Sequence, residues 1–439
     1  MNSLRTTSNL GNREKGLGNK NLSPKPCALS PNFSLRIELL APAGNFEKLQ
    51  AALIYGADAV YIGGKNFNLR AYGDNFDDAE IIQAVDFTHK LGKKIYVTVN
   101  IFANNADLNE LAAYLKFLDD VGVDAVLISD LGVFTLAKEV TKNLDIHVST
   151  QANVTNYRAV NFFHEFGASR IVLARELTRE EILEIKSKSD VELEIFIHGA
   201  MCISYSGRCY LSHYLTGRSG NRGECTHSCR WKYSLVEEKR PNEYFEVNED
   251  ERGAYIMNSK DLCLLPCLDK VIDSGVTSLK IEGRMKSVNY VAGVVKTYRR
   301  AIDAYLENPA AFKILPEWID ELDKVAHRPY TTGFFMSDGK STEIYDTSKP
   351  KRSSEFLGIV REFDADKMLA TIEQRGKFEV GQDVEFFQPQ DKTFSQKISV
   401  MFDEEGQEIL SAPHAQQIVK IPVDKPVEIF SLMRCDKFL

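Results

Sequence analysis

From Leu35 onward, short apolar runs rich in Val and Ile alternate with stretches whose apolar residues recur at helical spacing. That alternation is the pattern of βα units joined into a parallel sheet. Eight runs are predicted as strands: IELLAPA (37–43), AVYIGG (59–64), KIYVTVNI (94–101), AVLISD (125–130), IHVSTQ (146–151), RIVLARE (170–176), LEIFIHG (193–199) and SLKIEGR (278–284). Helical stretches follow most of them, including NFEKLQAALIYG (45–56), AEIIQAVDFTHKLG (79–92) and LNELAAYLKFLDDVG (108–122). Gly56, Gly92 and Gly122 stand where a helix ends on a left-handed residue. Eight such units predict an α/β fold of the TIM type, a (β/α)8 barrel whose active site lies at the C-terminal ends of its strands. A doubly wound open sheet is the rival.

The rhythm breaks twice. Between the seventh and eighth strands, residues 200–260 form an insert holding four cysteines, followed by a predicted helix at 261–275. Beyond a last barrel helix (286–306) and an acidic helix near 316–325, residues 337–353 read as a polar linker. From 354 to 439 the pattern has period two between turns, which predicts a small antiparallel β-barrel of five or six strands. The layout is therefore a barrel domain over 35–336, a linker and a small β-barrel domain. Residues 1–34 are polar, with five Lys/Arg to one Glu, and predict a disordered extension; an organellar transit peptide is the alternative.

If these are barrel strands, polar residues at their C-terminal ends converge on one opening: Asn100, Asp130, Ser149, Gln151, Arg175, Glu176, His198, Glu282 and Arg284. Arg70, in the loop after the second strand, joins them. Barrel enzymes draw catalytic groups from several strand ends. Arg70, Arg175 and Arg284 offer bidentate partners to a small anion such as a carboxylate or phosphate. His198 exchanges protons near neutral pH, and with Glu282 and Asp130 it makes the candidate catalytic set. Asn100, Gln151 and Tyr205 complete the expected substrate contacts. The plainer alternative is that Arg175–Glu176 and Glu282–Arg284 are ordinary ion pairs and His198 a structural residue.

The chain carries eight cysteines, and Cys202, Cys209, Cys225 and Cys229 follow one another with six, fifteen and three residues between. No signal-peptide h-region precedes the barrel, so a reducing, cytoplasmic setting is predicted, where clustered thiols more often hold metal than bridge each other. Zinc and an iron–sulfur cluster both suit four thiolates, and a disulfide is the third option. Cys263 and Cys267, at helical spacing, read as packed small hydrophobes, with Cys263 a reserve ligand.

A net charge of −8 over 439 residues draws in no nucleic acid globally, so any RNA contact needs a local patch. One is present around the insert: Arg208, Arg218, Arg222, Arg230 and Lys232, then Lys280, Arg284 and Lys286, interleaved with Tyr205, Tyr210, Tyr214, Trp231 and Tyr233. Such a surface stacks unpaired bases and holds phosphates. No apolar run approaches the roughly 18 residues of a transmembrane helix, so no membrane partner is expected. There is no G-x-S-x-G elbow, no H-E-x-x-H helix, no Walker loop and no G-x-G-x-x-G after the first strand.

The stretch ELEIFIHGAMCISYSGRCYLS (192–212) resembles the signature of peptidase family U32, the collagenase-like proteases, through Glu194, Phe196, Gly199, Ala200, Met201, Cys202, Gly207, Cys209 and Ser212. STQANVTN, GECTHSCRWKY, YIMNSKDLCLLP and SLKIEGRMKSVNYVAGVVKTYRRAID resemble the tRNA-hydroxylating branch of that family. The resemblance runs from about Glu38 to the C-terminus. It implies, despite the peptidase label, formation of 5-hydroxyuridine at the wobble position of tRNA, dependent on prephenate and independent of molecular oxygen. It implies a TIM-type barrel and an iron–sulfur cluster, of the 4Fe–4S type, on Cys202, Cys209, Cys225 and Cys229; Cys263 is not a regular position of the branch. Prephenate, a dicarboxylate co-substrate, would then meet the clamp of Arg70, Arg175 and Arg284. The partner is the tRNA anticodon loop, its wobble base splayed out beside the tyrosines, and a paralogous protein partner is admitted. A collagenase-like peptidase and a zinc-stabilised RNA-binding accessory protein are the competing readings.

Overall fold

The computed structural model describes residues 37–437 except 72, 203, 232–234, 238–239, 246–257, 337–342, 345–350 and 391. The predicted extension over 1–34 and most of the predicted linker over 337–353 lie outside the described residues.

Seven parallel strands, β1 (Glu38–Pro42), β2 (Ala59–Gly63), β3 (Lys94–Val99), β4 (Ala125–Ile128), β5 (Asp145–Val148), β6 (Arg170–Val172) and β7 (Glu192–Ala200), pair in chain order. A closing strand, Ser278–Ile281, pairs in parallel with both β7 and β1 and shuts the sheet into an eight-stranded TIM-type barrel. Helices α1 (Phe46–Ile54), α2 (Asp78–Lys90), α3 (Leu108–Asp120), α4 (Leu131–Val140), α5 (Tyr157–Glu165) and α6 (Arg179–Ser187) alternate with the strands. Their starts are written in short polar side chains: Asn45 accepts from Lys48 N, and Asp77–Glu80 and Thr178–Glu181 form reciprocal capping boxes. Gly56, Gly92 and Gly122 take positive φ at the ends of α1, α2 and α3.

Several strands stop two to four residues before the predicted apolar runs do. Residues such as Asn100, Gln151 and Glu176 leave the ladder and turn over the strand ends, where the opening of the barrel needs them. Below them the interior is ionic. Arg170 on β6 meets Glu38 at 2.5 Å, Glu192 at 2.8 Å and Glu194 at 3.3 Å, and Lys280 Nζ meets Glu194 at 2.8 Å. Each of these charges has a partner, the condition on which buried ions are tolerated.

Two predicted elements differ from those found. The helix expected over 261–275 begins instead as a strand, Asp261–Cys263, antiparallel to the end of β7 and parallel to Tyr330–Thr331. β7 runs past the closing strand and leaves an edge that the strand covers, and Pro266 is poorly suited to a continuous helix here. A 3-10 turn over Leu265–Cys267 leads into α8 (Leu268–Asp273), the one α-helical part of this stretch, and Cys263 lies on the strand, so Cys263 and Cys267 do not share a helix face. Both are buried, and burial pushes their thiols up to about 11 and about 12. Among the described residues the C-terminal sheet has eight antiparallel strands rather than five or six, and it curves into a half-barrel whose end strands, Phe394–Lys397 and Glu408–Ile409, do not pair with each other.

The half-barrel docks on α1, α9 (Val288–Glu307) and α10 (Pro316–Asp323). Ile359, Phe387 and Leu432 enter the apolar core of the barrel domain. Tyr55 Oη donates to Phe387 O at 2.8 Å, and buried Arg434 grips Glu321 at 2.6 and 3.1 Å and Glu385 at 2.5 Å. Among the described residues, no helix is long and apolar enough to cross a membrane.

Candidate active site

A cavity of about 510 Å³, its open mouth included, lies at the C-terminal ends of the barrel strands. Its polar lining follows the two-residue period of the strands. Thr98 and Asn100 come from the end of β3; Lys280, Glu282 and Arg284 come from the closing strand and the turn after it. Arg70 reaches in from the loop after β2, Arg175 from the end of β6, and Ser149, Thr150 and Gln151 from the turn after β5. Among the described residues, four lining cations thus face a single lining carboxylate.

That carboxylate is already engaged. Glu282 lies 3.1 Å from Arg70 and 3.8 Å from Arg175. Burial pushes its pKa up, but Arg70, Arg175 and Arg284 hold it down at about 2. Glu282 is therefore an anion at neutral pH and organises the arginines instead of delivering a proton. Its folded-state pKa is depressed below the ordinary 4.5. The resulting stability, on the order of 3 kcal/mol, is complete above that ordinary value and lost as pH falls towards 2. Glu282→Gln is expected to lose that part of the acid limb in urea unfolding followed across this range. An unchanged limb would show that the carboxylate is not held by the arginines.

Arg175 stacks on Phe196, its guanidinium carbon 3.8 Å from the ring centroid, and donates to Ala200 O. Arg70 donates to Leu69 O and Glu282. Burial works against the charge of Arg70, but Glu282 and then the nearby Cys202 thiol favour it, and its pKa is raised. Arg284 differs from both. It is 4% exposed, and its N–H groups go to neutral oxygens, Thr98 Oγ1 at 3.0 Å and Asn68 Oδ1 at 2.5 Å. No carboxylate lies within ion-pair distance of it among the described residues. Burial, and then repulsion from Arg70, lower its pKa to about 10, which still leaves it charged at neutral pH. The fold makes room for it: a Cβ on Gly63 would stand 1.8 Å from Arg284 Nη1.

Of the residues expected here, Arg70, Arg175, Arg284, Asn100, Ser149, Gln151 and Glu282 line the cavity. Four others do not: Glu176, whose carboxylate receives Ser206 of the insert, and His198, Asp130 and Tyr205. His198 is turned away by a register shift: Lys280 pairs with Phe196 but Ile281 pairs with His198, so β7 holds one extra residue and the alternation reverses. His198 packs instead among Tyr290, Tyr298 and Tyr330, at ring distances of 5.9, 5.5 and 5.2 Å. Burial, helped by His327 and Lys286, lowers its pKa to about 3 and keeps it neutral. Asp130 is the N-cap of α4, accepting from Val133 N at 3.1 Å. Tyr205 lies on the insert, 57% exposed and outside the cavity lining. Conversely, Lys280, Thr98 and Thr150 line the cavity without having been assigned to it; the inward period of β3 and of the closing strand was the available signal.

The cysteine insert is moored to the rim on two sides. Ser206 N and Oγ donate to Glu176 at 3.1 and 3.3 Å, and Gly207 lies so close to Gln151 that a Cβ would stand 2.0 Å from its carbonyl oxygen. Across the opening, Arg222 forms a fork on Asp107 at 3.0 and 3.2 Å, and Ala71 N donates to Gly223 O. Within the insert, Ser212, Thr226 and Ser228 hydroxyls join α7 (Leu211–Thr216) to the turn bearing Cys225 and Cys229. Lys232 and Tyr233, expected in the basic aromatic patch, lie outside the described residues.

None of the four insert thiols is in a disulfide, and none is fully buried. Cys225 Sγ accepts from His227 N at 3.4 Å. Among the described residues, however, no three His, Cys, Asp or Glu side chains gather to hold a metal ion. The thiols share one rim-bound insert, but they do not fit a preassembled four-thiolate cage.

The sequence pattern of peptidase family U32 matches residues 44–344, and that of the family's C-terminal domain matches residues 352–434. The chain is 45% identical over 401 residues to tRNA hydroxylation protein P1 of Bacillus subtilis, covering 91% of this chain and 95% of that one. It is 36% identical over 437 residues to tRNA hydroxylation protein P of Escherichia coli, covering 89% and 95%. A 23S rRNA 5-hydroxycytidine synthase of Escherichia coli is 38% identical over 332 residues, covering 74% of this chain and 48% of that protein. Barrel, insert and half-barrel together therefore belong to one family, and the chain is a member of peptidase family U32.

Proposed function

We propose that this protein is an RNA-modifying enzyme that hydroxylates tRNA, forming 5-hydroxyuridine at the wobble position with prephenate as co-substrate and without molecular oxygen. The tRNA part rests on the relatives, which are named for tRNA hydroxylation across nearly their whole length. The small-molecule part rests on one observation: a buried guanidinium, Arg284, faces the cavity with no carboxylate in ion-pair contact among the described residues. A buried charge with no carboxylate in ion-pair contact is costly, and a ligand carboxylate lowers that cost. Prephenate carries two carboxylates. One suits Arg284; the other suits Arg175 and Arg70, which Glu282 holds in place. Asn100 and Gln151 supply neutral hydrogen-bonding groups on the other wall.

Cys202, Cys209, Cys225 and Cys229 are the residues that would hold an iron–sulfur cluster, whose chemistry is one-electron transfer. They do not converge in the fold described, so binding and closure of the insert would have to occur together. A peptidase reading has less support. The described cavity lining contains no histidine, and His198 is buried behind β7.

Nucleoside mass spectrometry of tRNA from a deletion strain tests this function. Loss of 5-hydroxyuridine, restored by the wild-type gene in cells grown with or without air, is the expected result. An unchanged nucleoside profile would overturn it.

A further inference from the structure

The insert carries a second surface that the cavity does not use. Tyr210 is 64% exposed, its ring 4.8 Å from that of His213, Tyr214 is 77% exposed and Trp231 48%, a concentration of solvent-facing aromatic surface that marks a binding site. Tyr210 caps α7 and Tyr214 lies four residues on, so both rings share one face of the helix. The opposite face is anchored. Buried Ser212 donates to Arg218 O at 2.9 Å and meets Thr226 Oγ1 at 3.0 Å, and Thr226 meets Ser228 Oγ at 2.7 Å. Trp231 follows that same turn, its N–H donating to Ser228 O at 3.1 Å. The three rings are thus held on two segments knitted together, and the whole is moored to the cavity rim by Glu176 and Asp107.

Resting on the tRNA reading above, we propose that Tyr210, Tyr214 and Trp231 form a stacking platform for unpaired nucleotides flanking the one that is modified, with Arg208 and Arg218 beside their phosphates. Every base offers a π-face, and a rigid ring loses little entropy on stacking. Loop nucleotides expose those faces, whereas a duplex hides them. The charge is complementary: residues 202–231 carry four arginines and one glutamate in a chain whose net charge is −8. The same excess opposes a second copy of the chain on this face, because arginines would meet arginines.

The test uses the full-length protein and two RNA probes, a single-stranded oligouridine and a fully paired hairpin, with affinities measured over a range of salt. Tyr210→Ala combined with Tyr214→Ala is expected to weaken oligouridine binding about ten-fold or more. Hairpin binding and the salt slope should stay unchanged, and Tyr210→Phe with Tyr214→Phe should restore affinity. Arg208→Ala should instead flatten the salt slope. Equal losses on both probes, or none on either, would overturn the platform while leaving the tRNA reading standing. Failure of the wild type to bind either probe would sink the tRNA reading itself. A dimer that the alanine pair dissolves, with RNA affinity intact, would reassign the face to self-association.

Discussion

Arg284→Met is expected to weaken prephenate binding by roughly a hundred-fold, the loss of charge-assisted hydrogen bonds in a dry site, while leaving the protein as stable as before or more so. The two effects part company for a physical reason. In the free protein Arg284 is a buried cation that, among the described residues, donates to the neutral oxygens of Thr98 and Asn68 and feels Glu282 only from beyond ion-pair distance, and replacing a poorly paired buried charge by an apolar chain of similar length is commonly neutral or stabilising. Arg175→Met should behave differently. Besides lowering affinity, it takes away one of the two arginines in ion-pair contact with Glu282 among the described residues and removes the guanidinium stacked on Phe196, so stability should fall as well. Calorimetric titration with prephenate and urea unfolding, run on both variants, separate the cases. If Arg284→Met binds prephenate normally and unfolds more easily, Arg284 is a structural residue and the anion site is lost.

The second large effect concerns the thiols. Protein purified without air is expected to be brown, with iron and acid-labile sulfide in comparable amounts, and Cys202→Ala or Cys225→Ala should each remove the colour and the hydroxylated product. Cys263→Ala and Cys267→Ala should keep both, because burial holds those thiols protonated at the back of β7. Since the four insert thiols are not gathered beforehand, loading should also protect the insert from proteolysis, a readout independent of turnover. Zinc in place of iron and sulfide would support the accessory-protein reading, and full activity in colourless protein would remove the cluster altogether.

Most of the barrel was legible because each strand is a short apolar run closed by polar residues, and helices α1 to α6 and α9 each start after an Asn, Asp, Ser or Thr. The arginines were legible for the same reason: positions just after a strand can only lie near the opening. His198 was not. A single extra residue in β7 reverses which side a side chain faces, and nothing in LEIFIHG marks where the ladder slips. Asp130 was grouped with the cavity because a helix cap and a catalytic carboxylate occupy the same place after a barrel strand; its carboxylate caps α4 and does not line the cavity. The strand at Asp261–Cys263 was hidden because it exists only to cover an edge made by β7, some 60 residues earlier. Lys280 was visible as a basic residue, but its place in the cavity depends on Glu194, with which it shares the barrel interior.

The long helix α9 is buried along most of its length, with the barrel on one flank and the half-barrel on the other. The C-terminal sheet is therefore the outer wall of the larger domain as much as a module of its own. Trimming the chain at the linker to separate RNA anchoring from chemistry would wet an apolar flank and strand Glu321 without Arg434. A dead truncate would then be a story about collapse, and questions about the sheet's own role are better put to its solvent-facing side chains one at a time.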